Sequence, residues 1–337
     1  MNILVIRFKQ IGDSVLASPI CNSLKKTYPN SKVDYVVYEH ILPLFEGHPY
    51  IDNVISITKE EQKNPFKYLI KVWKVTRKKY DIVIDIMSTP KSEFFTFLSP
   101  GAKYRIGRRK PKRGYTYTHK IGESREAKDK VGKFIKMLKP LEDNGIDVKY
   151  DYDYKIYVSD EEKNMLRERM ETAGLDFSKP VFAFAINSRQ PYKVWKREYM
   201  IETINHCITK YNAQIIFYYS PAEKDYAKET HGMMKWNKNI FTNVETRSIR
   251  ELAMLLANCD MFVGNEGGPR HISQGLDVPS LAIFSPSASK KEWLSNANDR
   301  HQGIEMQDIG GKDYFDIKPR HVIEKLEEMI DRYVEKI

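Results

Sequence analysis

Cysteine is scarce in this chain of 337 residues: Cys21, Cys207 and Cys259 are scattered, with no CxxC pair. That excludes a disulfide framework and a cysteine-based zinc site, and it points to a reducing compartment and three ordinary core thiols. Long apolar runs are missing as well. No stretch approaches the roughly 20 residues of a membrane-spanning helix. The amino terminus opens directly on the strand-like Met1-Asn2-Ile3-Leu4-Val5-Ile6-Arg7, with no leader pattern ahead of it. The expectation is a soluble cytoplasmic protein. Several catalytic signatures are absent too: no GxSxG elbow, no P-loop, no carboxylate pair at helical spacing, no DxD-like pair in a catalytic loop, and no His/Cys cluster with metal spacing.

Acid is in short supply over one stretch. The net charge is +10, and between Gly101 and Lys139 fourteen Lys and Arg residues face only Glu123, Glu126 and Asp129. Such a segment attracts polyanions: nucleic acid, anionic lipid headgroups or phosphorylated glycans. Its bland reading is a solvated basic face.

What is present is a repeating α/β rhythm. Asn2–Arg7, Lys32–Tyr38, Val54–Ile57, Asp81–Ile86 and Tyr104–Ile106 read as strands, with helices over Ser14–Tyr28, Phe66–Lys79 and Lys91–Leu98. Gly, Tyr, Thr and basic residues break the rhythm at Lys110–Arg125, which predicts a mobile loop, and a helix is expected over Ala127–Asn144. Strands then restart at Val181–Ile186, Gln214–Tyr219, Asn239–Phe241, Met261–Val263 and Ser280–Phe284. Helices are expected over Arg197–Lys210, Ala222–Met234, Ile249–Ala257 and Gly268–Gly275, and a strongly amphipathic one over Pro319–Ile337. The reading is two doubly wound parallel-sheet domains, 1–160 and 175–318, with the 319–337 helix expected to pack back on the first. Two such domains imply a cleft at the carboxyl ends of their strands.

Four segments carry chemistry. In Val263-Gly264-Asn265-Glu266-Gly267-Gly268-Pro269-Arg270-His271 a strand ends, two glycines allow close backbone approach, and Pro269 opens a helix whose free N–H groups suit a phosphate. Arg270 and His271 are candidate charge-assisted donors. In Asn187–Trp195, Lys193 is a candidate phosphate cation and Ser188 a hydroxyl donor. After Gln214–Tyr219, Glu223 is placed to accept ribose hydroxyls. In Phe8–Ser14, Gly12-Asp13 follows the first strand, and Asp13 is a candidate general base whose bland alternative is a helix N-cap. Alone, each is compatible with an ordinary turn or cap.

Together and in this order, the segments resemble the lipopolysaccharide heptosyltransferases, glycosyltransferase family nine. The matching stretches are Gly12-Asp13, Lys193-Val194-Trp195, Glu266-Gly267-Gly268-Pro269-Arg270-His271 and Pro279–Pro286. The resemblance implies a GT-B fold, two Rossmann-like domains facing across a cleft, and inverting sugar transfer from a nucleotide-diphospho-sugar without metal or other cofactor. On that model Asp13 is the base, and Lys193, Gly267 and Gly268 receive the departing diphosphate. Glu223 holds the ribose, while Ser188, Glu266, Pro269 and His271 complete or support the donor site. The family pattern breaks where Glu266 and Gly267 replace its Asp and Thr, which puts the identity of the sugar in doubt.

The basic segment is expected on the acceptor side, with Gly12, Arg108, Arg109, Lys112 and Arg113 meeting a phosphorylated glycolipid at the anionic inner membrane surface. The protein is expected to act as a monomer. Two other readings stand beside this one. A nucleotide-sugar epimerase on the same scaffold would need further cleft carboxylates. A nucleic-acid-binding protein would use Tyr104, Tyr115 and Tyr117 as stacking platforms among the cations.

Overall fold

The computed structural model describes residues 1–122, 129–296 and 298–335. The chain divides into two compact units, Met1–Tyr157 and Val158–Ile337. Unit 1 holds strands β1 (Asn2–Ile6), β2 (Lys32–Tyr38), β3 (Asn53–Ile57), β4 (Ile82–Asp85), β5 (Tyr104–Arg108) and β6 (His119–Ile121). Unit 2 holds β7 (Val181–Ala185), β8 (Gln214–Tyr218), β9 (Ile240–Phe241), β10 (Met261–Asn265), β11 (Ser280–Ile283) and β12 (His301–Ile304). The sheet orders are β3-β2-β1-β4-β5-β6 and β12-β11-β10-β7-β8-β9. Counted from each unit's own first strand, both read 3-2-1-4-5-6, and every pair of neighbours is parallel. This is the doubly wound nucleotide-binding topology, whose ligand crevice lies at the carboxyl ends of strands 1 and 4.

The central strands are buried on both faces, as apolar parallel strands covered by helices must be. Helices begin where polar side chains can satisfy their first N–H groups. Asn64 accepts from the backbone of Phe66 and Lys67 ahead of the Pro65–Thr76 helix, and Ser159 and Glu162 form a reciprocal cap on Asp160–Thr172.

The structure departs from expectation in several places. The segment expected as a helix over Ser14–Tyr28 is two helices, Ile11–Val15 and Pro19–Thr27, because Pro19 has no N–H to continue the first and suits the start of the second. The loop expected over 110–125 contains β6, paired to β5 through Thr118 N–H to Arg105 O (2.8 Å) and Arg109 N–H to Ile121 O (2.7 Å). Three polar-flanked residues are too short for their pattern to announce a strand. The helix expected from Ala127 is described as Lys130–Ile135 and Lys139–Asp143; the parts of that helix and of the 110–125 loop that fall on 123–128 lie outside the described residues.

The last helix, Pro319–Tyr333, was expected against the first domain; the structure assigns it to unit 2. Its Val322, Leu326, Met329 and Ile330 belong to the core of unit 2, with Trp195, Ile204, Phe217 and Val263.

Candidate functional site

In unit 2 the carboxyl ends of β7 and β10 mark the topological switch. Gly264 in β10 has φ +155°, and a Cβ there would lie 2.6 Å from the Ala185 carbonyl. Only glycine lets the two strands approach this closely. The approach brings Asn265 into reach of both sides: its amide donates to Ala185 O at 3.2 Å, and its Oδ1 accepts the Trp195 N–H at 2.8 Å. Trp195 is fully buried and its Nε1 donates to Ile317 O at 2.9 Å. The Tyr314 hydroxyl donates to the Lys193 carbonyl at 3.1 Å. The loop after β7 is therefore held firmly, and it presents Lys193, whose Nζ donates to Glu266 Oε2 at 2.8 Å. The Lys193 side chain is 21% exposed and that of Glu266 only 6%, so the ion pair opens to solvent on the lysine side.

Gly267 is the N-cap of the Gly268–Gly275 helix, with Pro269 in the first turn. The first-turn N–H groups of a helix have no partner inside it and carry partial positive charge, which suits an anion. Gly267 is extended (φ 176°), and a Cβ would meet nothing nearer than 3.8 Å. The backbone thus demands glycine at 264, not at 267. Arg270 is wholly buried and contributes structure instead of a free donor: it donates to Gln274 Oε1 (2.7 Å) and to the carbonyl of Trp293 (2.7 Å), and it lies against the His271 ring. His271 is 1% exposed. Burial first, then the charges of Arg270 and Lys193, hold its imidazole well below the usual range, so it is neutral and does not reach the surface.

Glu223 forms a reciprocal cap with Ser220, Oε2 accepting the Ser220 N–H at 2.7 Å. Beside it, past the end of β8, a cavity of about 150 Å³ is lined by Phe217, Tyr218, Tyr219, Pro221, Lys224, Val244, Glu245, Thr246 and Leu255. Burial, then the charge of Glu223, pushes the Tyr218 phenol up to about 12. Ser188 is half-buried in the loop after β7, its Oγ near the Gln190 N–H at 3.5 Å.

In unit 1, Gln10 and not Asp13 is the N-cap of the Ile11–Val15 helix, and Gly12 is buried within it. One oxygen of Asp13 is paired with Arg7. The other has Lys9 Nζ at 4.0 Å. Arg7 is buried beneath the Phe134 ring, its guanidinium 4.7 Å from the ring centre. Sequence reasoning missed Arg7; a cation ending an otherwise apolar strand was the available signal. Asn265 and Tyr314 were missed as well, because both act through backbone contacts that no residue pattern announces.

Arg108 and Arg109 line a cavity of about 290 Å³ with Lys110, Lys130, Lys133 and Lys136. Lys112 and Arg113 are exposed and do not line it. The stacking platform of the nucleic-acid reading does not form. Tyr104 and Tyr117 are buried, the Tyr117 hydroxyl donating to Asp85 Oδ2 at 2.7 Å, and Tyr115 alone of the three is exposed. Among the described residues no group of three or more His, Cys, Asp or Glu gathers as a metal site, and no helix is long and apolar enough to cross a membrane.

Residues 69–309 match the family model described as glycosyltransferase family 9 (heptosyltransferase). Lipopolysaccharide heptosyltransferase 3 of Escherichia coli is 23% identical over 284 residues, 81% of this chain and 80% of the relative. Among solved structures, a glycosyltransferase family 9 protein from Veillonella parvula superposes with a TM-score of 0.85 at 21% identity, covering 98% and 97% of the two chains. The E. coli ADP-heptose lps heptosyltransferase II does so with 0.78 at 20%, covering 98% and 99%. These likenesses share the fold, the two-domain GT-B architecture.

Proposed function

The chain belongs to glycosyltransferase family 9, and from that premise we propose that it moves heptose or a closely related sugar from an ADP-linked diphosphosugar to a lipopolysaccharide core or related surface glycan. The observation that carries the reading is the Lys193–Glu266 pair at the β7/β10 switch, set beside the amino end of the Gly268–Gly275 helix. A lysine at 2.8 Å from one carboxylate and a row of first-turn N–H groups are what a diphosphate requires. The names of the relatives, one a lipopolysaccharide heptosyltransferase and one an ADP-heptose enzyme, supply the sugar, the nucleotide and the acceptor class.

The proposed step is inverting and uses no metal. The acceptor hydroxyl oxygen bonds to the anomeric carbon and passes its proton to the Asp13 oxygen that Arg7 leaves open. The anomeric C–O bond to the diphosphate breaks, and its electron pair leaves with the nucleoside diphosphate. Lys193 and the N–H groups of the helix start stabilise that charge as it develops, the role a divalent cation would otherwise take. Arg7 positions the base. Glu223 keeps one oxygen for the ribose while the other caps Ser220, and the 150 Å³ cavity beside it accepts the base. Ser188, in the loop after β7, and Pro269, in the first turn of the Gly268–Gly275 helix, shape the site. Glu266 releases Lys193 to the diphosphate on binding and then meets the sugar. The basic cavity at Arg108 and Arg109 takes the phosphorylated part of the acceptor, aided by Lys112 and Arg113.

A thermal-shift panel of nucleoside diphosphates tests the donor: ADP raises the melting temperature and UDP does not, since ligand binding stabilises by mass action. A preference for UDP would remove the ADP assignment. Reversing the charges of Arg108, Arg109, Lys112 and Arg113 tests the acceptor: it lowers acceptor use and leaves ADP binding intact. Equal loss of both would count against that assignment.

A further inference from the structure

Thirteen large apolar side chains are exposed among the described residues, and six of them sit on two neighbouring helices of unit 1. The Pro65–Thr76 helix turns Tyr68, Val72 and Thr76 inward, yet it exposes Phe66 (79%), Leu69, Ile70 (52%) and Trp73 (50%). At 100° per residue those four fall within one stripe about a quarter-turn wide. The Pro90–Phe97 helix turns Phe95 into the same core and exposes Phe94 and Phe97. The two helices are joined by the Tyr68 hydroxyl, which donates to the Lys91 carbonyl at 2.6 Å.

Both helices follow rightward crossovers, β3 to β4 and β4 to β5, so right-handed connection places them on the same face of the sheet. Their outward sides therefore form one surface. A helix apolar on both sides is normally buried, so this surface is a contact surface.

Charge identifies the contact. From Lys63 to Lys79 the chain carries seven basic residues and no acidic one. Lys67, Lys71 and Lys74 flank the apolar stripe on one side, and the Arg77 guanidinium lies 4.8 Å over the Trp73 ring at its end. An apolar stripe of Phe, Leu, Ile and Trp bordered by lysines is the composition of a helix that lies in the plane of a bilayer, its rings among the acyl chains and its ammonium groups on lipid phosphates. Two of the seven are already engaged, Lys67 on Glu60 and Lys78 on Asp34, and the remaining excess of cations is what lipid phosphates would meet.

We propose that the outer face of the 65–76 and 90–97 helices docks on an anionic membrane surface. Tyr115, 82% exposed, extends it, since its loop is tied to the second helix through Thr116 to Thr96 (2.6 Å) and Gly114 N–H to Glu93 (3.3 Å). This inference stands on the apolar and basic surface alone and survives if the proposed donor or acceptor is wrong.

Flotation with phosphatidylcholine vesicles containing or lacking phosphatidylglycerol tests it, using the full chain. Wild-type protein floats with the anionic vesicles and not with the neutral ones. Phe66→Ser, Ile70→Ser and Trp73→Ser combined lowers the partition constant by roughly tenfold or more, while circular dichroism and the ADP thermal shift stay as in wild type. A second variant, Lys67→Gln, Lys71→Gln and Lys74→Gln combined, weakens binding to anionic vesicles and makes what remains less sensitive to salt. Wild-type protein that stays with neither vesicle, or an apolar variant that floats like wild type, overturns the proposal. So does a wild-type dimer that the apolar variant converts to monomer, which would make the face a self-association surface. Loss of the ADP shift in wild type leaves vesicle binding unaffected and counts only against the donor reading.

Discussion

The residues that matter most are those whose surroundings leave them one task. Asp13 has one oxygen on Arg7 and the other open except for Lys9 at 4.0 Å. Asp13→Asn is expected to lower turnover by about 10²–10⁴-fold, the usual worth of a positioned base, with ADP affinity unchanged by calorimetry; retained turnover would remove it from the role. Lys193→Ala should weaken ADP binding by roughly tenfold to a hundredfold, the worth of a charge-assisted bond. Asp85 offers a pH signature. Burial pushes its carboxyl up to about 6, against the opposing pull of the Tyr117 hydroxyl and the Ser88 N–H. A raised folded value means stability that is full below the unfolded carboxyl range and is lost as pH rises towards 6. The wild type should therefore lose on the order of 2–3 kcal/mol relative to Asp85→Asn between pH 4 and pH 7, a two-unit shift at about 1.4 kcal/mol each. Urea melts of both proteins at the two pH values measure it, and a difference that is flat or rises with pH would contradict the buried, proton-holding carboxyl.

At the scale of elements, much of the fold was legible because the signals are long. Apolar β-branched runs announced β1, β2, β7, β8 and β10, and Gly-Pro announced the Gly268–Gly275 helix to the residue. Short or polar-bordered pieces escaped: β6 has three residues, β12 begins on His301, and the capped Asp160–Thr172 helix is too acidic to show an apolar stripe. The site was half legible. Chemistry-bearing side chains such as Lys193 and Asp13 stand out by type and position. Their holders do not, because Asn265 and Tyr314 act on backbone atoms and Gly264 answers to the Ala185 carbonyl on a strand nearly 80 residues away. Arg270 and His271 looked like ligands for the opposite reason: next to a helix start, sequence cannot tell an inward cation from an outward one. The core that the final helix joins was not legible, because amphipathicity reveals a buried side, not what it is buried against. Its seat in unit 2 predicts that Leu326→Ala, a fully buried truncation, costs about 2–5 kcal/mol. The accompanying rise in hydrogen exchange should be confined to unit 2; faster exchange in β1–β5 instead would place the helix elsewhere.

At the scale of the molecule, two units repeat one topology with different cargo. Unit 2 carries the features suited to a nucleotide, and unit 1 carries the proposed base Asp13, the basic cavity and the apolar outer helices. ADP at about a hundred times its dissociation constant should add about 2.7 kcal/mol to stability. If unit 2 alone holds it, hydrogen-exchange protection will gather at the ends of β7, β8 and β10, and equal protection in unit 1 would assign the nucleotide wrongly.

The seat of the last helix bears on how the chain is made. Every strand pairing in both sheets is parallel and joins distant residues, β1 to β4 across nearly 80 positions, a topology that folds slowly and leaves edges open to aggregation meanwhile. With the last helix seated in the core of unit 2, residues 1–157 form a compact unit with a six-stranded sheet and a core of its own. At about 5–20 residues per second of synthesis, they have about 7–30 seconds to close before the second sheet has all its strands, and the two sets of look-alike strands need not compete for one another's places.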